Sequence, residues 1–447
     1  MVLHSRVTRM KSTRYHPPLI RQILPWLYVV LFLALAPLLI FYTAGYRYNL
    51  KKGLVERNGT VIVDSTPSGA HVEIDGVDTR ETTPITFQNV TPGVHAVRVS
   101  KSGYHVWEKR LTVLAEQVTF ANTVWLWRND EPTIALAQSV RQLEESPART
   151  ALAFITSETT TSSLVVWLPN QPLVSSPLPF DVNSSTLTID WEPNTRALVL
   201  KNDLSTNPLS WWVRLGSGIP FVEEIPRGFS RWTSTELVIL HEHTIERLRL
   251  RDGGLMHEPL PTNVLDQEQD FQIITASNGD RLSLRRASLL SREWELPSGA
   301  WRIALIEKSF VVLRDADRWL AVSIDSSNPY GGEAMGDHPR WLTRAGHPTA
   351  LLLRRNELWL WELGKEPALL WRQSNPLVQA LWHGSGSSVV IATEKNVFML
   401  DLDEREGRLV TPLATCDHIA GMGFVDRELF VAGTRDGKDA VWRIGLE

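Results

Sequence analysis

From residue 22 to residue 46 the chain carries no charge, a run of 25 positions, and beyond it the hydrophobic pattern breaks into short strand-like pieces. A helix rises about 1.5 Å per residue and a bilayer core is about 30 Å thick, so roughly 20 apolar residues span it. The run therefore predicts a single transmembrane helix over 22–46, with a basic tail at 1–21 and a juxtamembrane linker at 47–58. Pro25, placed in the first turn, and Pro37 are tolerated in such a helix. Trp26, Tyr28, Tyr42, Tyr46 and Tyr48 cluster toward the ends, where amphipathic rings favour the headgroup region.

Arg6, Arg9, Lys11, Arg14 and Arg21 precede the run with no acid among them. Arg47, Lys51, Lys52 and Arg57 follow it, together with Glu56. The excess of cations before the run puts the N-terminus in the cytoplasm. The alternative is a cleaved signal peptide, whose apolar core would be about 7–15 residues long and end in a small-x-small site. Thr43-Ala44-Gly45 is the one weak candidate for such a site. A lipoprotein anchor is excluded, because no cysteine lies just after the run. Both readings export residues 47–447.

Residues 59–126 alternate apolar and polar positions with period two. Strands are expected at Thr60-Val61-Ile62-Val63, Ala70-His71-Val72-Glu73-Ile74, His95-Ala96-Val97-Arg98-Val99, Leu111-Thr112-Val113 and 118–126, with Val106-Trp107-Glu108 between. Asp75-Gly76 is a strong hairpin signal, since glycine accepts positive φ. Six or seven short strands without a helical period predict a small β-sandwich.

Pro67-Ser68-Gly69-Ala70, Asp75-Gly76, Thr83-Pro84, Pro92-Gly93-Val94-His95 and Gly103-Tyr104 follow in the order and spacing of a PEGA domain, which this segment resembles. Ser68 departs from the pattern, where the family has Glu. The resemblance implies a non-catalytic binding or spacer module of an exported or surface-attached prokaryotic protein. The residues themselves agree, because the marked positions are turn formers rather than acids, bases or ligands.

After Arg128 a longer rhythm appears. A strand rich in apolar or aromatic residues recurs about Val166, Trp212, Arg247, Ser283, Leu320, Trp359, Phe398 and Val441, at steps of 46, 35, 36, 37, 39, 39 and 43. Repeats of about forty residues signal four-stranded blades. Fully apolar runs such as Ala197-Leu198-Val199-Leu200 and Val389-Val390-Ile391-Ala392 precede that strand, as expected for strands buried on both faces. The last unit reaches Glu447 after its third strand, and Thr133-Ile134-Ala135-Leu136-Ala137 stands unassigned before the first. Pairing these two ends would close a β-propeller over 129–447 and remove exposed edges. Eight blades are expected, or seven if the irregular stretch 263–335 forms one unit. The Trp-centred turns resemble those of WD40-like and TolB-type propellers in architecture, although no Trp-Asp dipeptide marks the blades. The fold class is thus mainly β: one transmembrane helix, a PEGA-like sandwich over 59–128, and a propeller.

Composition narrows the function. The net charge of −4 offers no general attraction to nucleic acid. The lone Cys416 makes no intramolecular disulfide and reads as a buried small residue. Fourteen of the 18 tryptophans lie in the propeller, where one position per blade suggests packing between blades. Trp211-Trp212 is the exception: adjacent strand residues face opposite sides, so one is expected at the surface as a possible ligand platform.

Candidate chemistry is sparse. His241-Glu242-His243 puts two imidazoles on one strand face, a possible zinc pair, but it falls where a hairpin turn belongs. Asp401, Asp403, Glu404 and Glu406 before Gly407 loosely suggest a calcium loop, yet Arg405 occupies a ligand position. Asp315 and Asp317 read as a turn. Asn58-Gly59-Thr60 and Asn89-Val90-Thr91 fit glycan sequons. Neither a Gly-x-Ser-x-Gly elbow nor a phosphate loop occurs, and the basic tail is too short for an output domain. No catalytic, cofactor-binding or metal-ligating residue is therefore assigned. The expectation is a single-pass protein of the cytoplasmic membrane with its β modules outside. It would bind an envelope protein, peptidoglycan or another polysaccharide, and not nucleic acid. The alternative is a propeller hydrolase or lyase acting on envelope glycans, with carboxylates converging on the central channel.

Overall fold

The computed structural model describes residues 19–43, 46–49, 54–157, 162–168, 171, 173–178, 187–194, 196–202, 209–215, 221–225, 228–233, 235–241, 243–251, 253–277, 279–286, 289–307, 309–325 and 330–447. Residues 1–18 of the expected basic tail, with Arg6 to Arg14, lie outside them. Two compact units form: one runs to Val99 and includes Glu108–Val124, and the other comprises Ser100–Trp107 and Trp125–Glu447.

In the first unit, α1 spans Leu19–Thr43 and contains both prolines. Its apolar side chains from Leu24 onward are exposed along their length. The helix is displaced toward the N-terminus from the expected span. It ends where the Thr43 hydroxyl donates to the Leu39 and Ile40 carbonyls at 2.9 and 3.1 Å. Pro25 consequently sits beyond the first turn. Tyr46 belongs instead to a hairpin, Tyr46–Asn49 with Leu54–Arg57, inside the stretch expected to be a plain linker.

Seven strands follow in two sheets. One places Gly59–Thr66 between Ile85–Val90 and Val118–Trp125, and the other orders Val77–Thr82, His71–Ile74, Gly93–Ser100 and Trp107–Val113. Both contribute to the core through Val61, Val63, Ile85 and Ala121 on one side and Val72, Val97, Val99 and Leu111 on the other, all buried. Asp75 and Gly76 have φ of 51° and 75°, the two left-handed residues of a type I′ turn, as the Asp-Gly signal predicts. The family-like residues knit turns. Thr83 accepts the Ala70 N–H on its hydroxyl at 3.1 Å, and its backbone carbonyl accepts the Gly69 N–H at 2.9 Å. Asp75 accepts the Ala96 N–H and meets His95 Nδ1 at 2.7 Å.

Among the described residues the second unit contains eight four-stranded antiparallel sheets in succession, here sheets 1 to 8. Their first strands are Val140–Glu145, Leu187–Trp191, Phe229–Trp232, Val264–Glu268, Arg302–Glu307, Asp337–Arg344, Leu377–Trp382 and His418–Val425. Thr133–Leu136 supplies the fourth strand of sheet 8 by pairing with Lys438–Ile444, so the two ends of the segment meet in one sheet, as expected. Residues 263–335 form two sheets rather than one, because Val264–Glu295 and Arg302–Met335 each complete their own four strands. The apolar runs are second strands: Leu152, Leu198, Leu237, Leu352, Val390 and Val431 are each 0 % exposed, covered on both faces. The first strands are more polar, and there side chains tie one sheet to another.

Candidate functional site

Carboxylates and amides on the first strands reach sideways. Asp266 of sheet 4 accepts the Ile303 N–H of sheet 5 at 2.7 Å. Gln379 of sheet 7 accepts the Met422 N–H of sheet 8 at 2.7 Å, and Glu145 of sheet 1 accepts the Phe424 N–H of sheet 8 at 2.6 Å. Each satisfies a backbone donor that lies on a neighbouring sheet. Indoles act in the opposite sense. Trp382 donates to the Arg340 carbonyl at 2.7 Å and Trp232 to the Asp190 carbonyl at 3.3 Å, each bridging two sheets. Trp167 meets Phe430 edge-on at 4.7 Å between sheets 1 and 8.

The charged groups are paired in the same region. Arg231 Nη1 donates to both Asp266 oxygens at 2.9 and 2.8 Å and to the Ile303 carbonyl at 3.1 Å. Its Nη2 reaches the Gln267 carbonyl and Glu268 at 2.9 and 3.0 Å. Arg231 is 6 % exposed and Asp266 fully buried, so the desolvation of this pair is offset by several charge-assisted hydrogen bonds. Arg340 of sheet 6 pairs with Glu144 of sheet 1. Burial pushes Glu145 above the usual carboxylate range, against the opposing charges of Arg149 and Arg340.

A second polar nest surrounds His383, which follows the first strand of sheet 7. Its ring lies edge-on to Trp125 and Trp127, with centroids 4.9 Å away in both cases, and faces Phe424. Nδ1 meets the Ser385 hydroxyl at 2.8 Å, while Glu447 Oε1 stands 3.5 Å from Nε2. Burial lowers the His383 pKa to about 4, and Arg149 and Arg427 add to that shift. The 3.5 Å approach of Glu447 does not offset it, because Glu447 already carries Arg427 at 3.2 Å.

The sequence-derived candidates fall as follows. Trp211 and Trp212 are 4 % and 1 % exposed, so neither reaches the surface, contrary to expectation. Both faces of their strand are covered by apolar packing: Trp211 lies with Ile189 and Leu200, and Trp212 with Leu237 and Ile239. Alternation therefore sends them to two interiors. His241 does not pair with His243. Its Nε2 faces Glu246 at 3.5 Å, and His257 on the next strand faces the same carboxylate at 3.1 Å. Glu242 lies outside the described residues. No cluster of three metal-ligating side chains occurs among the described residues. Asp403 pairs with Arg405 at 2.8 Å and Glu404 with Arg408 at 2.8 Å, in a turn containing Gly407 at φ 91°. Asp315 pairs with Arg318 at 3.4 Å. Cys416 is buried, and burial raises its thiol pKa.

One cavity was not anticipated. At the junction of sheets 1 and 8, a half-open cavity of about 270 Å³ is lined by Ser139, Arg141, His418, Thr434 and Asp439 with the backbone at Gly433. These residues are distant in sequence and meet only because the ends of the segment come together. No local signal marks them.

Comparison with known proteins places these modules. Residues 58–124 match the model of the PEGA domain, so the first unit carries that domain. No curated protein matches the chain. Solved β-propellers are similar to it in fold. The propeller domain of Myceliophteria thermophila Cps50 (Swd1) is 13 % identical, with a TM-score of 0.38, and the match covers 63 % of this chain and 98 % of that one. The Dos1 propeller is 11 % identical over 71 % of this chain and 95 % of that one, at a TM-score of 0.44. Saccharomyces cerevisiae Sqt1 is 8 % identical over 71 % and 98 %, at 0.41. The chain is a mainly β protein joining an N-terminal apolar helix, a PEGA domain and a propeller-like array of sheets.

Proposed function

We propose that the protein is a membrane-tethered, extracytoplasmic binding or scaffold protein of the cell envelope that holds its partners without transforming them. The observation carrying this reading is the helix from Leu24 to Thr43, whose apolar side chains have no protein cover. An exposed apolar surface of that length calls for lipid. Five cations precede it without an acid, which supports a cytoplasmic N-terminus with the β units on the far side. The PEGA domain fits that exported setting.

The absence of catalysis is proposed on how the carboxylates are used. Glycoside cleavage needs two carboxyl groups about 5–10 Å apart and free to exchange protons. Here Asp266 and Glu268 are committed to Arg231, Glu144 to Arg340, and Glu145 to the Phe424 N–H. Peptidoglycan, another envelope polysaccharide or an envelope protein is the partner class this reading favours. The test is co-sedimentation of the full chain in detergent with isolated peptidoglycan, with the products assayed for new sugar ends. Retention without new ends supports the proposal. Release of reducing or unsaturated ends would establish the hydrolase or lyase instead.

A further inference from the structure

The cavity at the junction of sheets 1 and 8 presents two opposite charges that do not neutralise each other. Arg141, at the start of the first strand of sheet 1, is exposed and has no ion-pair partner among the described residues. Asp439, near the start of the third strand of sheet 8, accepts hydrogen bonds from the Thr434 and Ser139 hydroxyls. Those bonds, with His418 nearby, hold its carboxyl below the usual range, so it is an anion at neutral pH. Gly433 fixes the backbone beneath, because a Cβ there would stand 2.1 Å from the His418 carbonyl oxygen. Both charged groups line the same space without bonding to each other, so that space separates a cation from an anion.

We propose that this cavity binds a small zwitterion of the α-amino acid class. Arg141 would receive the carboxylate, and Asp439 with the two hydroxyls would hold the ammonium. An anion alone would meet Asp439, and a cation alone would meet Arg141. Only a ligand carrying both charges satisfies both walls. Size agrees: about 270 Å³ lies below the range of roughly 300–1,000 Å³ typical for drug-sized ligands. No Trp, Tyr or Phe lines the space, so it offers no broad ring face for a sugar to stack on.

The test is calorimetric titration of the full chain in detergent with L- and D-alanine, using propionate and ethylamine as single-charge controls. Saturable binding of alanine, weakened about tenfold or more in both controls, is expected. Arg141→Ala and Asp439→Asn should each weaken alanine binding by a similar factor. Arg141 is exposed, so its variant keeps the fold, and circular dichroism checks both. The proposal is overturned if alanine shows no saturable response at millimolar concentration. It is equally overturned if Arg141→Ala leaves alanine affinity unchanged, or if propionate binds as well as alanine. The cavity does not depend on the membrane reading, so its failure would leave the tethering proposal standing.

Discussion

His383 should make the second unit sensitive to acid in a specific window. In the unfolded chain its imidazole takes up a proton near pH 6.5, whereas in the fold this is delayed to about pH 4. Stability from this group is therefore fully present above pH 6.5. It declines as pH falls, because the unfolded chain binds a proton that the fold does not, and it levels off below about pH 4. One pKa unit corresponds to about 1.4 kcal/mol, so the loss approaches about 3 kcal/mol at the acid end and is about 2 kcal/mol by pH 5. The side chain is 5 % exposed, so solvent screening reduces this little. The perturbation is His383→Gln, which keeps a polar group beside Ser385 and cannot titrate. The assay is urea unfolding followed by tryptophan emission, at pH 8 and pH 5, in both proteins. The variant is expected to be less stable at pH 8 yet to lose about 2 kcal/mol less than the parent between the two pH values. Equal losses in both proteins, or a His383 proton titrating near pH 6.5 by NMR, would refute the reasoning.

Three further outcomes are expected. Asp266→Ala leaves Arg231 buried without the carboxylate at Nη1, and should cost about 3 kcal/mol or more in urea unfolding, with Asp266→Asn milder. Gly433→Ala drives a Cβ against the His418 carbonyl and should lower the melting temperature by several degrees, read by circular dichroism. Deleting residues 19–43 should move the protein from the membrane fraction to the soluble fraction, read by immunoblot, while leaving the β-sheet circular dichroism signal intact.

Much of the fold could be read from the chain because the informative strands are locally marked. The second strands are unbroken apolar runs such as Val389 to Ala392, and several third strands carry tryptophans, among them Trp212, Trp319, Trp359 and Trp442. Phe271–Ala276, the second strand of sheet 4, lacks this mark because Gln272 and Thr275 interrupt its apolar run. The helix was legible in kind but not in its bounds, since absence of charge does not distinguish a helix end from a hairpin beginning at Tyr46. The site was far less legible. Arg231 with Asp266, Glu144 with Arg340, and Arg141 with Asp439 join residues that only the assembled sheets bring together. Alternation along one strand likewise failed for Trp211 and Trp212. It says which face a residue takes but not whether that face is covered.

The central claim is that both β units lie outside the cytoplasmic membrane, held by α1. The most direct measurement is protease digestion of intact spheroplasts expressing the full chain, followed by immunoblotting for the segment 130–447. The account predicts that this segment is cleaved before lysis, while a cytoplasmic marker stays whole. Protection until the membrane is broken would contradict it.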